Sequence, residues 1–308
     1  MSLSRVLCIV GPTGSGKSQL SELVTMELGG EVVSIDAMQV YRGMDIGTAK
    51  TPRALRRCPL HMVDVVDMGT PYSVSLFQRD ARACIDGLVS RGKVPVLCGG
   101  TGLYLDAVID EMSFPKGDQM GDARRRYEEY AQKHGTQALH DLLAQRDSQS
   151  ANLIHPNNQR RVIRALEMLD EGTSYAKHHE GLKRRAPHYA ARLWGIEHSR
   201  ERLYERIDAR VDDMFANGLV SEVEQLAAHG LRESTTASQA IGYKEVLLAL
   251  DGTISMDEAR NLVKRNTRRY AKRQLSWLKR DGRVSWLRAD EHTTQQMVAR
   301  ICDDWRTP

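Results

Sequence analysis

No stretch of this 308-residue chain is long and apolar enough to cross a bilayer. Ahead of its first glycine-rich loop stands Arg5 and then only the short run VLCIV, too brief for the apolar centre of a secretory leader. The expectation is a cytoplasmic protein without a membrane partner. Cysteine is sparse: Cys8, Cys58, Cys84, Cys98 and Cys302 are scattered, odd in number and form no C-x-x-C pair. That argues against a disulfide framework and a thiolate zinc site, and suits a reducing compartment. His178–His179 has no companion at metal-ligand spacing. No G-x-S-x-G occurs and no cysteine stands in a nucleophile's context, which sets aside serine and thiol acyl chemistry. Internal repeats and low-complexity tracts are also missing. Nor does one charge dominate, since the net is +4 with 41% apolar and 27% charged residues, an ordinary balance for a chain that buries a core. A polyanionic partner must therefore be sought in local clusters. With no sustained heptad or long apolar stripe, a monomer is expected.

What is present begins with GPTGSGKS, residues 11–18, which fits G-x-x-x-x-G-K-[ST]. Residues 6–10 read as a buried strand entering the loop, and Lys17 to Leu28 as the helix leaving it, stopped by Gly29 and Gly30. Gly11, Gly14 and Gly16 let backbone N–H groups converge on an anion, at the positive end of a helix. Lys17 adds a charge and Ser18 can hold Mg²⁺. The motif specifies a polyphosphate but not a nucleotide.

The strand EVVSI, residues 31–35, ends at Asp36, and a third apolar run, Met62 to Val66, precedes Asp67. Residues 73–91 carry helical periodicity with Ser73 as N-cap. VPVLC, residues 94–98, runs into Gly99–Gly100–Thr101–Gly102. Strands alternating with helices imply a parallel sheet covered on both faces, with ligands at the carboxyl ends of its strands. Asp36 and Thr101 both fall just past a strand, on the edge that holds the phosphate loop. Asp36 reads as an acid holding Mg²⁺ through water, as a general base, or as a cap of its own loop. The flat, polar text DAMQVYRG after it suits an organic substrate.

Strand patterns vanish over 115–190, which reads as a helical insertion. Residues 192–197 look like a returning strand. A helix from Ser199 to Asn217 follows, then a last long helix from about Asp257 to Arg280, and VSWL at 284–287 as a final strand. Residues 264–283 hold nine Lys/Arg and one acid. Val263, Tyr270 and Trp277 stand seven apart and form an expected core stripe, leaving Arg265, Arg268, Arg269, Lys272, Lys279 and Arg280 outside. Such a run is a solvated face or a seat for a phosphodiester backbone, and the scarcity of interleaved acids favours the latter. Arg160, Arg161 and Arg164, with Arg124 to Arg126 and Lys183 to Arg185, make a second basic cluster in the insertion. Patches on two modules suit a large polyanion.

In order along the chain stand GPTGSGKS, DAMQVYRGMDIGTAK, GGTGLY, HPNNQRRVIRAL, ARVDDMFANGLVSEV, QAIGYKE and RNTRRYAKRQLSWL. This ordered set, from residue 11 to 278, resembles bacterial-type tRNA dimethylallyltransferases. The resemblance implies transfer of a dimethylallyl group from dimethylallyl diphosphate to N6 of adenosine at tRNA position 37. It implies an α/β P-loop NTPase-like core, residues 1–114 and 191–308, and an all-α insertion, 115–190, that grips the anticodon stem-loop. By that similarity Asp36 is the base and Thr101 lies at the reaction channel. Gly11, Pro12, Thr13, Gly14, Ser15, Gly16, Lys17, Ser18 and Arg210 hold the diphosphate, with Mg²⁺ on Ser18. Asp36, Ala37, Met38 and Gln39, then Gln159, Arg160, Arg161, Val162 and Ile163, and finally Lys244, Arg273, Lys279 and Arg280 contact tRNA. Two positions depart from the expected blocks: Ala37 replaces a serine, and Asn158 an aspartate. A P-loop kinase of a small metabolite would leave the basic C-terminal helix unexplained. A non-catalytic RNA-binding NTPase would leave Asp36 and GGTGLY without work.

Overall fold

The computed structural model describes residues 3–115, 121–182 and 186–307. Strand β1 (Arg5–Val10) enters the glycine loop and helix α1 (Lys17–Leu28) leaves it; β2 (Glu31–Ile35), a short β3 (Leu60–His61), α2 (Val74–Ser90), β4 (Pro95–Gly99) and α3 (Gly102–Ile109) follow. Next come four helices, α4 (Asp122–Arg146), α5 (Ser148–Leu153), α6 (Gln159–Asp170) and α7 (Tyr175–Gly181). The chain returns through β5 (Ala190–Glu197), α8 (Arg200–Ala216), α9 (Leu219–Ala227), α10 (Tyr243–Leu250), α11 (Met256–Leu278), β6 (Val284–Arg288) and α12 (Thr294–Arg306). No helix among the described residues is long and apolar enough to cross a membrane.

The six strands form one sheet in the order β3-β2-β4-β1-β5-β6, every pairing parallel. This is the α/β arrangement that alternating strand and helix text implies. β1 lies inside the sheet, so its residues alternate between two dry faces. Val6, Cys8 and Val10 join α2, α3 and α10 in one core, while Leu7 and Ile9 join α1 and α12 in another. Because the strands are parallel, the ends of β1, β2, β4 and β5 open on one edge. There the backbone departs from both sheet and helix, and its free N–H groups become available to a ligand.

Local signals set most boundaries. Ser73 caps α2, its Oγ accepting from Leu76 N at 3.3 Å. Gly29 ends α1 in the left-handed region at φ 64°. The apolar run Met62–Val66 is not a strand: β3 stops at His61, and Met62 and Asp64 take φ of 60° and 56°. The run instead folds back on the Asp36 loop, where Val65 N and Val66 N donate to the Val40 carbonyl. The expected last long helix is α11, and a shorter α12 follows β6 and covers the second core.

The chain divides into two compact units, Met1–Asp110 with Pro187–Pro308, and Glu111–Ala186. The second unit is helical and has its own core of Tyr127, Leu139, Leu143, Val162, Ile163 and Leu166. Asn158 caps α6, its side-chain oxygen accepting from Arg161 N at 3.3 Å. Asparagine caps a helix as well as aspartate does, so the departure from the expected aspartate keeps that structural role.

Candidate functional site

At the carboxyl edge of the sheet lies a cavity of about 330 Å³, within the range typical of ligand pockets. The glycine loop forms one wall. Gly14 and Gly16 adopt φ of 81° and 86°, which side-chain-bearing residues rarely reach. Carbonyls of the loop that would repel an anion are occupied from outside it. Arg206 Nε donates to Gly14 O at 2.7 Å, and His198 Nε2 lies 3.1 Å from Ser15 O. Asp290 holds the other ring nitrogen of His198 at 2.7 Å.

Lys17, in the first turn of α1, and Arg210, on α8, both line the cavity. Burial pushes the pKa of each down, and the Asp36 carboxylate pulls each back up. Among the described residues neither makes an ion pair. Lys17 Nζ donates to Pro12 O at 3.3 Å. Desolvated cations without counter-charges are costly, and a polyanion between them removes that cost.

Asp36 ends β2 and does two jobs with two oxygens. Oδ1 accepts from Met38 N at 2.8 Å and Gln39 N at 3.2 Å, an Asx turn that shapes the loop. No donor among the described residues reaches Oδ2, and the residue lines the cavity. The loop-capping and proton-accepting readings are therefore compatible. Ala37 and Met38 line the same wall. Gln39 is pinned at both ends of its amide: Ser34 Oγ donates to its oxygen at 2.8 Å, and its nitrogen donates to Thr48 O at 3.2 Å.

Thr101 sits at the N-cap position of α3, yet its hydroxyl makes no cap bond. That Oγ1 is buried without a hydrogen-bond partner, and it adjoins the Tyr270 phenol. Tyr270 is itself a correction. Val263 is buried, but it and Tyr270 both line the cavity, and the Trp277 indole donates to Asp106 at 3.0 Å on α3. The period of seven was real; the surface it faces is partly the site.

The loop carrying Asp36 is held by residues that the motif reading passed over. The Glu222 carboxylate accepts the N–H groups of Asp45, Ile46 and Gly47 at 3.1, 2.7 and 3.1 Å and the hydroxyl of Tyr243. Lys50 is 6% exposed and bridges Asp45 and Asp64, each at 2.6 Å. All six residues other than Asp64 lie in the blocks that carry the family resemblance, but their pairing spans up to 177 positions of sequence. Burial raises the thiols of Cys98 and of Cys58, the latter to about 11, which keeps both protonated and unreactive.

The basic residues separate into paired and free. On α11 Lys264 meets Asp212 at 2.7 Å, Arg268 meets Asp208 at 2.9 Å, and beyond it Lys279 meets Glu197 at 3.0 Å. Arg265, Arg269, Lys272, Arg273 and Arg280 are exposed and make no ion pair among the described residues. Arg273 lies over the Tyr270 ring and Arg280 over Trp277. Lys244, on α10, is exposed too. In the helical unit Arg160 and Arg161 are exposed beside a half-buried Gln159. Val162 and Ile163 are corrections, being 0% and 1% exposed in the helical core. Arg124 and Arg164 are withdrawn from the patch by Glu167, Arg164 also by the Pro115 carbonyl, whereas Arg125 and Arg126 stay exposed while they pair with Asp122 and Asp170. Lys183 to Arg185 lie outside the described residues.

The family model for IPP transferases matches residues 39–281. A tRNA dimethylallyltransferase of Carboxydothermus hydrogenoformans is 42% identical over 299 residues, 96% of each chain. The crystal structure of a tRNA delta(2)-isopentenylpyrophosphate transferase from Staphylococcus epidermidis has a TM-score of 0.73 at 37% identity, covering 99% of this chain and 100% of that one. A eukaryotic dimethylallyltransferase, captured in crystallographic snapshots acting on tRNA, has a TM-score of 0.80 at 28% identity, over 98% of this chain and 79% of its own. Identity at this level along nearly the whole length, on the same fold, means that the chain belongs to the IPP transferase family.

Proposed function

We propose that this protein transfers a dimethylallyl group from dimethylallyl diphosphate to N6 of adenosine at tRNA position 37, beside the anticodon, releasing diphosphate. The observation that carries the reading is a cavity in which two buried cations that make no ion pair among the described residues, Lys17 and Arg210, share walls with the carboxylate of Asp36.

Adenine N6 is a poor nucleophile because its lone pair is delocalised into the ring. As the N–C bond forms, Asp36 Oδ2 takes the amine proton, and general-base help of this kind is worth roughly 10²–10⁴-fold. The allylic C–O bond breaks and its electron pair leaves with the diphosphate. Lys17, Arg210 and the N–H groups of Gly14 and of Gly16 to Ser18 stabilise the departing charge. Each preorganised donor of that sort is worth about 10²–10³ in rate. The buried Thr101 hydroxyl stands behind the cavity wall, beside the Tyr270 phenol that lines it. Mg²⁺ suits this donor set. It prefers one or two protein oxygens plus phosphate and water, and the Ser18 side chain lines the cavity next to Lys17. When bound there it would neutralise charge on the diphosphate.

The adenine must leave its stack, which an anticodon loop permits at low cost because its bases are unpaired. Arg265, Arg269, Lys272, Arg273 and Arg280, and separately Arg160 and Arg161, offer contacts to the phosphate backbone. The test is incubation with radiolabelled dimethylallyl diphosphate, Mg²⁺ and unmodified tRNA, followed by nucleoside analysis. Label in an N6-substituted adenosine is expected. ATP consumption with no labelled nucleoside would overturn the reading in favour of a kinase.

A further inference from the structure

The proposed chemistry accounts for the ligand-facing groups. It does not account for Gln274, a cavity-lining polar side chain only 6% exposed, on a helix whose other side carries free cations. Its amide joins three parts of the protein. The oxygen accepts from Thr13 N, in the phosphate loop, at 2.9 Å. The nitrogen donates to Gly100 O, in the loop after β4, at 3.0 Å. Gly100 is shaped around it: a Cβ there would lie 2.3 Å from Gln274 Nε2 and 2.6 Å from Gly11 O. One turn earlier on α11, Tyr270 contacts both Gln274 and Thr101. Two and five positions away, Lys272 and Arg269 face solvent, and the exposed Arg273 also lines the cavity.

We infer that Gln274 is a positioning residue that ties the geometry of the diphosphate cradle to the helix on which RNA docks. The inference rests on the proposed function, which identifies both ligands. Only an amide on a two-carbon stem supplies one acceptor and one donor at this reach. A glutamate would keep the acceptor, lose the donor toward Gly100 O and set a negative charge beside the diphosphate. A leucine would leave a buried N–H and a buried carbonyl unpaired. Through the amide, a displacement of α11 moves the phosphate loop and the Thr101 loop together. Binding of a polyanion outside α11 therefore alters affinity for diphosphate inside, and by linkage the reverse holds by the same factor.

The experiment measures inorganic pyrophosphate binding to the full chain by calorimetry, with and without an unmodified anticodon stem-loop RNA. The variants are Gln274→Leu and Gln274→Glu, each confirmed folded by circular dichroism. In the parent chain RNA is expected to change the pyrophosphate dissociation constant severalfold. Gln274→Leu should weaken pyrophosphate about 3- to 10-fold, the scale of one hydrogen bond, and bring the RNA effect close to one. Gln274→Glu should weaken it more at pH 8 and recover toward the parent value, measured at each pH, as the introduced carboxyl protonates and regains a donor. Parent-like pyrophosphate affinity in both folded variants, an undiminished RNA effect, or a parent chain in which RNA has no effect would each overturn the inference. If Gln274→Leu does not fold, Gln274→Glu and its pH recovery decide alone. A parent chain that binds neither pyrophosphate nor RNA would instead overturn the proposed function.

Discussion

The two oxygens of Asp36 can be separated by mutation. Asp36→Asn keeps an oxygen for Met38 N and Gln39 N, now at 2.8 and 3.2 Å from Oδ1, and replaces Oδ2 with an NH₂ that cannot take a proton. Asp36→Ala removes both. Losing the base should cost about 10²–10⁴-fold in the chemical step, or about 3–5 kcal/mol of barrier. Losing the turn should cost about 1–3 kcal/mol of stability, two hydrogen bonds at roughly 0.5–1.5 kcal/mol each. Asparagine should therefore abolish most activity while unfolding near the parent temperature; alanine should do both kinds of damage. The assay is single-turnover transfer to pre-bound unmodified tRNA, beside thermal unfolding. A rate for Asp36→Asn within about threefold of the parent would refute the base assignment. Equal destabilisation by the two variants would refute the division of labour between the oxygens.

Replacing Lys272 and Arg273 together with glutamine should weaken tRNA binding and flatten its log–log salt dependence by about 1.4 to 1.8, two contacts at roughly 0.7–0.9 each; an unchanged slope returns that face to solvent. Gly102→Ala places a Cβ 2.0 Å from the Trp277 ring, so the indole must shift and strain its bond to Asp106; urea unfolding should show a loss of about 1–3 kcal/mol. The N–H of Ser199 and the His198 ring hold Asp290 down to about 2. A carboxylate lowered on folding stabilises above its unfolded pKa and loses that effect as pH falls through the folded value. The melting-temperature gap between parent and Asp290→Ala should thus be full near pH 5 and shrink toward about pH 2; a gap independent of pH would disprove it.

The phosphate loop, β2 with Asp36, and α2 with its Ser73 cap were legible because their signals are contiguous: periodicity, a cap or a glycine within a few positions. The run Met62–Val66 misled because its strand-like text meets Lys50, fourteen positions from Asp64, and a turn results. Tyr270 and Trp277 misled for another reason. A helix between core and cavity shows one aromatic stripe to both, and apolar spacing does not distinguish them. Val162 and Ile163 were expected at the RNA because they share a block with Arg160 and Arg161, although a helix turns neighbours to opposite sides.

The sequence by itself determined the parallel α/β sheet, the anion-binding loop, the placing of Asp36 and Thr101 at one edge, and a surplus of cations on α11. Tertiary structure alone decided which of those cations are free. Arg124 finds Glu167 at 43 positions' distance and Arg268 finds Asp208 at 60, spacings that no helical or strand period encodes. It also decided that Glu222 holds the Asp36 loop and that Gln274 ties α11 to the phosphate loop. Local rules act through bonds and a few turns of backbone. The strength of an ion pair or a buried amide depends on distance through space, which only the packed fold assigns.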